Sequence, residues 1–563
     1  MPQVLHDRYV WMQRLERWSE QLLIAGLLLA ALLLLTWNGG TLPLRDWDEG
    51  TIAQVAREIW RADPSDLRWL YPTLWGEPYF NKPPLIHNLI ALAYHIGGVN
   101  EWTSRLPCAL LTAASVPMLY AVGREIFVGR SAAVLGALVY LTMLPIARHG
   151  RLAMLDGTVL CFFLLLVWCV LRSRRNPRWA LGIGLAFGLI GLTKGILALL
   201  LGAIALGFLF WDSPRLLTSL YLWGGIGLGA TPVMAWYAAQ GIYYGADFLE
   251  THMLGQSFSR VWEPVENHQG PPWYYLLEVV KYCWPWLMFV PIALQTAWRS
   301  RAMSWAKLVL VWGGGYLLVI SVMSTKLPWY VLPIYPAIAL AIAVPLSQVW
   351  QQTSLLSDGE RPLRPPHWWV GSFGVMAIAG WGGGIYFGSW MPPGDSGLQL
   401  TLFSFGFTAT LCALLCHRGD RQFISILVWG TYVSLLLFMS TPHWIWELSE
   451  DYPVQPVAAL VRQLPADAEI FTSHHGRPSL NFYSDRRVIP AAQARLERQW
   501  QRSPGTYFLL DANALQRLDT TDAQVLGQVD GWTLMTRRST TPVWPQGVES
   551  VYAPALPASP LTD

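Results

Sequence analysis

Charge is what this chain has least of. Of its 563 residues only 13% are Asp, Glu, Lys or Arg, about half the roughly 25% of an average soluble protein. A soluble chain this long would divide into several domains with charged surfaces, so the composition excludes an ordinary soluble enzyme. The formal net charge of +3 lacks the basic excess that nucleic-acid binding needs, and a hydrophobic content of 53% excludes disorder. Cysteine is scarce too. Cys108, Cys161, Cys169, Cys283, Cys412 and Cys416 all fall in apolar runs, without a CxxC or His/Cys metal pattern, and read as small buried hydrophobes. No internal repeat is convincing, and no P-loop or GxGxxG is usefully placed. Aromatic residues, by contrast, abound: 32 Trp and 22 Tyr suit a chain with many membrane–water interfaces. Mean hydropathy is only +0.32, so a polar part dilutes the apolar majority. The composition is that of a polytopic membrane protein with a soluble region.

Arg8, Arg14 and Arg17 precede an apolar run from Leu22 to Leu35. No small-residue cleavage site follows, and further apolar segments do, so an uncleaved first helix with its N-terminus inside is expected. Segments near the ~20 residues needed to cross a bilayer follow at about 104–121, 131–147, 154–171, 179–193, 195–211, 218–237 and 273–297. Others lie at about 306–323, 329–347, 368–389, 398–416 and 422–440, giving about thirteen spans in all. The apolar stretch Pro84–Ile96 would invert the register if it crossed. Placing it at the interface instead puts Arg124/Arg130, Arg172/Arg174/Arg175/Arg178, Arg215, Arg299/Arg301/Lys307, Arg361/Arg364 and Arg418/Arg421 inside, as the positive-inside rule requires. Residues 38–103 then form one outer loop with helices lying on the membrane. The cations left outside are Lys82, Arg148, Arg151, Lys194 and Lys326. Ionisable groups at the outer ends of spans are functional candidates, with snorkelling anchors as the plain alternative.

Within the outer loop, Ile52, Val55, Ala56, Ile59 and Trp60 fall on one helical stripe. Asp48 occupies the N-cap position, and Pro64 ends the helix. Asp46, Asp48 and Glu49 together exceed what a cap needs, so acid–base work or a cation site is a second reading beside simple capping. Downstream, Lys82 in Tyr79-Phe80-Asn81-Lys82-Pro83-Pro84-Leu85 is followed by two prolines that stiffen the backbone. A cation fixed near the interface suits a phosphate headgroup, or equally a snorkelling lysine.

These blocks resemble the membrane glycosyltransferases of the aminoarabinose transferase/protein O-mannosyltransferase-like family, which have the GT-C fold. The likeness rests on Asp48-Glu49 with Ala56-Arg57-Glu58, on Tyr79 to Leu85, and on Arg105-Leu106-Pro107. It continues through Gly150 to Asp156, Gly191-Leu192-Thr193-Lys194-Gly195, His268 to Tyr275, and Ser324 to Pro333, in family order over about residues 1–345. The resemblance implies transfer of a sugar from a polyprenyl-phosphate donor to a lipid, protein or glycan acceptor, on the periplasmic side of the inner membrane. It implies Asp48 as the acid that activates the acceptor hydroxyl, with Glu49 beside it and Asp156 as a second acid facing the cavity. Lys82 and Tyr79 would bind the donor phosphate, helped by Lys326, Tyr330 and Arg151. Two departures stand out. Aminoarabinose transferases show D-E-x-R-Y where this chain has Asp48-Glu49-Gly50-Thr51-Ile52, and Glu before the lysine where this chain has Asn81. A phosphate contact and a metal ligand are thereby missing, and the sugar and the metal stay open. His268 is a weak candidate ligand for a divalent cation, and His252 reads as structural or interfacial.

The chemistry expected is inverting: the acceptor hydroxyl attacks the anomeric carbon, a carboxylate takes the proton, and a lysine steadies the departing phosphate. Paired carboxylates also fit glycoside hydrolysis, but the membrane setting and phosphate-side cations favour transfer. A transporter or lipid flippase would be expected to show inverted repeats with broken helices. An oligosaccharide ligase would differ in using a diphosphate donor. The expected domains are a membrane domain over 1–440, a soluble α/β domain over 441–545 and a flexible tail over 546–563. In the soluble domain a helix is expected at Val454–Leu464. Strands are expected at Glu469–Ser473, Leu480–Tyr483, Tyr507–Leu510 and Val525–Thr536. Ser473-His474-His475-Gly476 reads as a surface turn rather than a metal or catalytic site.

Overall fold

The computed structural model describes residues 2–258, 262, 268–355, 365–390, 393–445, 453–473, 476–502, 505–518 and 522–537. Arg361, Arg364, the His474-His475 pair and the tail expected over 546–563 lie outside the described residues. The chain divides into two compact units, Met1–Asp451 and Tyr452–Asp563.

The first unit is helical. Among the described residues, eight helices are long and apolar enough to cross a membrane, and a ninth is a pair, Tyr274–Tyr282 and Trp286–Arg299, bent by 114°. Pro285 at the break removes a backbone donor and explains the bend. The other four expected spans are also helical but depart from a full crossing. Arg130–Leu141, Ala180–Lys194 and Leu197–Asp212 are short. At about 1.5 Å per residue none of these three reaches the ~30 Å of a hydrocarbon core. Leu220–Tyr244 is long enough at 25 residues but carries five Gly and four Tyr, which dilute its apolarity.

The helices that build the site are α1 (Pro2–Thr36), α2 (Glu49–Arg61), α3 (Leu85–Gly97), α4 (Glu101–Ile126), α5 (Arg130–Leu141), α6 (Leu144–His149), α7 (Leu155–Ser173), α8 (Ala180–Lys194), α9 (Leu197–Asp212) and α10 (Leu220–Tyr244). The 13-residue α3 covers the stretch expected at the interface and is too short to span. Its Ile86, Ile90 and Tyr94 pack with Ile52 and Ala56 of α2 against Cys108, Ala153 and Leu155. The stripe read from the sequence thus buries its first turns here, while Ile59 and Trp60 stay half-buried.

Helix direction sorts the charges. One set of helix ends holds the ion pairs Arg124–Glu20 (3.2 Å), Arg172–Glu125 (3.0 Å), Arg174–Asp212 (3.2 Å) and Lys307–Asp212 (3.5 Å). The opposite ends hold Asp156 at the start of α7, Lys194 at the end of α8 and the turn Pro328–Ile334. The segregation inferred from sequence is therefore built into the packing of this unit.

Helices α8 and α10 meet backbone to backbone. A Cβ at Gly184 would lie 1.6 Å from the Gly225 carbonyl oxygen, and one at Gly229 would lie 1.7 Å from that of Gly184. Gly188 faces Gly229 in the same way, so each helix presents a small-xxx-small pair that permits the approach. Gly184→Val is expected to lower the thermal midpoint in detergent through overpacking of roughly 1–3 kcal/mol or more. Gly224, with nothing within 4 Å of its Cβ position, tolerates Ala at no cost in the same measurement.

The second unit carries a five-stranded mixed sheet of order β4-β3-β5-β7-β6, with β3 (Ile470–Thr472), β4 (Val488–Pro490), β5 (Tyr507–Asp511), β6 (Ala523–Val529) and β7 (Trp532–Arg537). The helix Val454–Arg462 and strands β3 and β5 fall where the sequence placed them. The expected strand Leu480–Tyr483 is instead part of the helix Pro478–Ser484. Pro478 starts that helix, and Asp485, left-handed at φ 55°, ends it. The strand expected over Val525–Thr536 is a hairpin, turned at Asp530-Gly531 with φ of 49° and 79°, the pattern of a type I′ turn. In the expected surface turn, Ser473 Oγ donates to Asp511 Oδ1 at 3.2 Å.

Candidate active site

The turn before α2 is built tightly. The Asp48 N–H donates to the Asp46 carbonyl at 2.6 Å, and the Gly50 N–H to that of Arg45 at 2.8 Å. Arg45 and Asp46 are buried. Between them and Asp48, Trp47 adopts φ 59° and exposes half of its surface, an outlying conformation for a bulky residue. Asp48 occupies the N-cap position, but with φ −78° and ψ −62° its side chain caps no backbone N–H. Simple capping, the plain reading of this residue, is therefore not its role. Burial pushes the Asp48 carboxyl up to about 6; Arg45 and Lys194 oppose that shift, while Asp156 and Glu49 add to it.

Glu49 does something different. Arg105 Nε and Nη2 donate to its two oxygens at 2.8 and 2.7 Å, and the N–H groups of Arg45 and Ala153 donate at 3.0 and 2.7 Å. Arg105 also donates to the Gly39, Leu42 and Pro43 carbonyls, each at 2.8 Å. Burial opposes the Glu49 charge, yet Arg105 and these hydrogen bonds hold its carboxyl below the usual range. Its acceptor capacity is used in joining α2, α4 and the segment before α7. Glu49, expected from the sequence among the catalytic acids, lines neither of the two cavities beside this turn.

Two cavities meet at Lys82, Asp156 and Lys194. A polar chamber of about 300 Å³ is lined by Asp48, Thr51, Tyr79, His268, Thr325 and Trp329, among others. An apolar groove of about 610 Å³ runs along Ile196, Leu200, Leu318, Val319 and Met323. Asn81, Lys82, Asp156, Lys194 and Tyr330 line both. Of the site residues expected from sequence, Asp48, Tyr79, Lys82, Asp156, His268 and Tyr330 are thus brought together. Lys194 Nζ donates to Asp156 Oδ1 at 2.5 Å and lies 5.4 Å from the Tyr330 ring centre.

Local structure explains how Tyr79 and Lys82 reach the cavities. Thr73–Leu74 (β1) and Glu77–Pro78 (β2) form a hairpin closed by Trp75-Gly76, with φ of 57° and 78°. Glu58 of α2 holds this turn by accepting from Thr73 Oγ1 (2.6 Å) and from the Trp75 and Gly76 N–H groups (2.6 and 3.3 Å). On the other side, His252 is hydrogen-bonded to the Phe80 carbonyl (2.5 Å) and to the Tyr237 hydroxyl (2.8 Å). Burial lowers the His252 pKa; the neutral ring, donating from Nδ1 and accepting at Nε2, fits both contacts.

Arg151 and Lys326 are not brought to the cavities. Arg151 is fully buried, its guanidinium stacked 4.2 Å from the Trp444 ring centre and bonded to the Trp37 carbonyl. Lys326 is buried too, its ammonium donating to the Ile320 and Ser321 carbonyls at 3.0 and 2.7 Å, which caps the end of a spanning helix. Both were expected at the donor phosphate, and packing has committed them elsewhere. His268 lines the chamber, but among the described residues no group of three or more His, Cys, Asp or Glu gathers to hold a metal ion. Lys194, read from the sequence as an outer-end cation and so a functional candidate, lines both cavities, and His252, read as structural or interfacial, holds the Phe80 carbonyl. For Lys194 the signal was present, a lysine at the far end of an otherwise apolar helix.

Comparison with known proteins agrees with this architecture. A family model described as dolichyl-phosphate-mannose-protein mannosyltransferase matches residues 81–237. The chain is 28% identical over 336 residues to undecaprenyl phosphate-alpha-4-amino-4-deoxy-L-arabinose arabinosyl transferase 2 of Pseudomonas fluorescens, covering 58% of this chain and 59% of that one. It is 29% identical over 432 residues to the corresponding transferase of Pectobacterium carotovorum, 72% of each chain. The first of these matches thus spans less than two thirds of the relative's length. The crystal structure of ArnT from Cupriavidus metallidurans bound to undecaprenyl phosphate superposes with a TM-score of 0.72 at 18% identity, covering 92% of this chain and 98% of that one. The fold is therefore that of the GT-C membrane proteins. In sequence the chain is similar to the aminoarabinose transferases at 28–29% identity over the stretches given.

Proposed function

We propose that this chain is a multi-pass inner-membrane glycosyltransferase that moves a sugar from a polyprenyl-phosphate donor to an acceptor hydroxyl at the periplasmic face. The junction of an apolar groove with a polar chamber, lined on both sides by Lys82 and Lys194, carries the reading. An isoprenoid chain suits the groove, its phosphate the two lysines, and the sugar the chamber beside Asp48. The acceptor oxygen attacks the anomeric carbon as the carbon–oxygen bond to the phosphate breaks, inverting that centre. Asp48 takes the hydroxyl proton, its raised pKa suiting a base near neutrality. Lys82 and Lys194 steady the charge gathering on the departing phosphate, with Asp156 holding Lys194 in place. Glu49 positions the turn that carries Asp48.

Lys82→Gln is expected to cost about 10²–10³-fold in kcat/KM for the donor by removing one charge-stabilising donor. The measurement is transfer by the purified chain in bilayer discs, using a panel of polyprenyl-phosphate pentoses, hexoses and amino sugars and a membrane glycolipid fraction as acceptor. Unchanged transfer in this variant, or turnover of diphosphate-linked donors alone, overturns the reading. Mass spectrometry of lipids and surface glycans from cells with and without the gene identifies sugar and acceptor.

A further inference from the structure

At the helix ends opposite the chamber a second groove, of about 300 Å³, lies between α5 and the helices Tyr335–Leu355 and Gln422–Met439. One wall is a stripe of α5, Ser131, Val134, Leu135 and Leu138; the other is Ile424, Ser425, Val428 and Trp429. The wall is apolar along its length, with Trp350 and Trp429 as aromatic anchors of the kind found where a bilayer meets water.

Its rim is basic. Arg130 lines the groove and donates to the Ser19 carbonyl at 2.9 Å, with Glu20 at 3.5 Å. Arg124 shares the same Glu20 at 3.2 Å. Arg421 stacks 5.2 Å from the Trp350 ring centre and donates to the Trp350 carbonyl at 3.0 Å. Among the described residues, Arg124 and Arg130 share the Glu20 carboxylate and Arg421 adds a third cation to the rim. Neutral Ser131 and Ser425 also line the groove, and Ser131 Oγ accepts from Gln351 Nε2 at 2.6 Å.

We propose that this groove binds an anionic glycerophospholipid, one acyl chain lying between the two stripes and the phosphate headgroup at Arg130 and Arg421. Basic pockets between membrane helices recognise such headgroups through charge, while the groove supplies the apolar contact. The site is independent of the donor cavity, sharing no lining residue with it.

The test is native mass spectrometry of the full chain after detergent extraction, with phosphatidylglycerol or phosphatidylcholine added at equal concentration. Retention of phosphatidylglycerol is expected to exceed that of phosphatidylcholine about fivefold or more. Arg130→Gln and Arg421→Gln should each weaken it about fivefold, the equivalent of about 1 kcal/mol per basic residue near an anionic headgroup. Val134→Trp, which fills the groove and leaves the rim charge intact, should displace the lipid while basal sugar transfer is unchanged. Equal retention of the two lipids overturns the proposal, as does full retention by folded Arg421→Gln or Val134→Trp. A thermal midpoint raised as much by inorganic phosphate as by phosphatidylglycerol overturns it also.

Discussion

Asp48→Asn is expected to lower kcat about 10²–10⁴-fold, the usual contribution of a positioned general base, while thermal stability and polyprenyl-phosphate binding stay near wild type. The isosteric amide keeps the shape of the wall but cannot accept a proton. No backbone cap is lost, because the carboxylate makes none. The pH profile gives an independent reading. The base must be ionised and its carboxyl lies at about 6, so activity is full above that value and falls as pH drops through it. At pH 5 about one tenth of the plateau rate should remain. Asp48→Glu, which restores a carboxylate on a longer arm, should recover part of the rate and keep an acid limb. Full activity in the Asn variant, or a rate flat from pH 5 to 8, would remove Asp48 from the chemistry.

Arg105→Ala should be the most destabilising single change near the site. It leaves the Glu49 carboxylate, now fully buried, without its cation, and orphans the Gly39, Leu42 and Pro43 carbonyls. Removing one partner of a buried pair costs about 3–5 kcal/mol, so the thermal midpoint should fall well below that of Asp48→Asn. The paired change Glu49→Gln with Arg105→Met removes both charges and should recover much of the loss, since the penalty lies in the uncompensated ion. The sign with pH is definite. The Glu49 carboxyl sits lower in the folded chain than in the unfolded one, so its stabilisation is complete above the ordinary carboxylate range and is lost as pH falls through the folded value. Thermal unfolding of the single and paired variants between pH 3 and 7 measures this. Equal midpoints for the two would show that charge burial is not what Arg105 offsets.

Much of this was legible in the sequence because membrane folding writes itself in one dimension. Hydropathy located the helices, and the sorting of Arg124, Arg130, Arg172 and Arg174 from Asp48, Lys82 and Asp156 marked two opposite faces. The stripe Ile52–Ala56 and the shortness of Leu85–Gly97 announced interfacial helices. The soluble unit was less readable. The apolar residues of Pro478–Ser484 are too few to separate period 2 from period 3.6, so a strand and a helix read alike there, and the interruption within Val525–Thr536 conceals a hairpin turn.

What the sequence by itself determined is therefore the class of molecule and the set of chemically capable residues, because composition, helix length and charge sidedness are local or additive properties. Only the tertiary structure decided which of those residues act together. Glu49 and Asp48 are neighbours in the chain, yet one is saturated by Arg105 and backbone N–H groups while the other faces a chamber. Arg151 and Lys326 carry the same charge as Lys82 and Lys194, yet the first stacks on Trp444 and the second caps helix carbonyls. Whether a cation reaches a cavity depends on partners tens or hundreds of residues away in the chain.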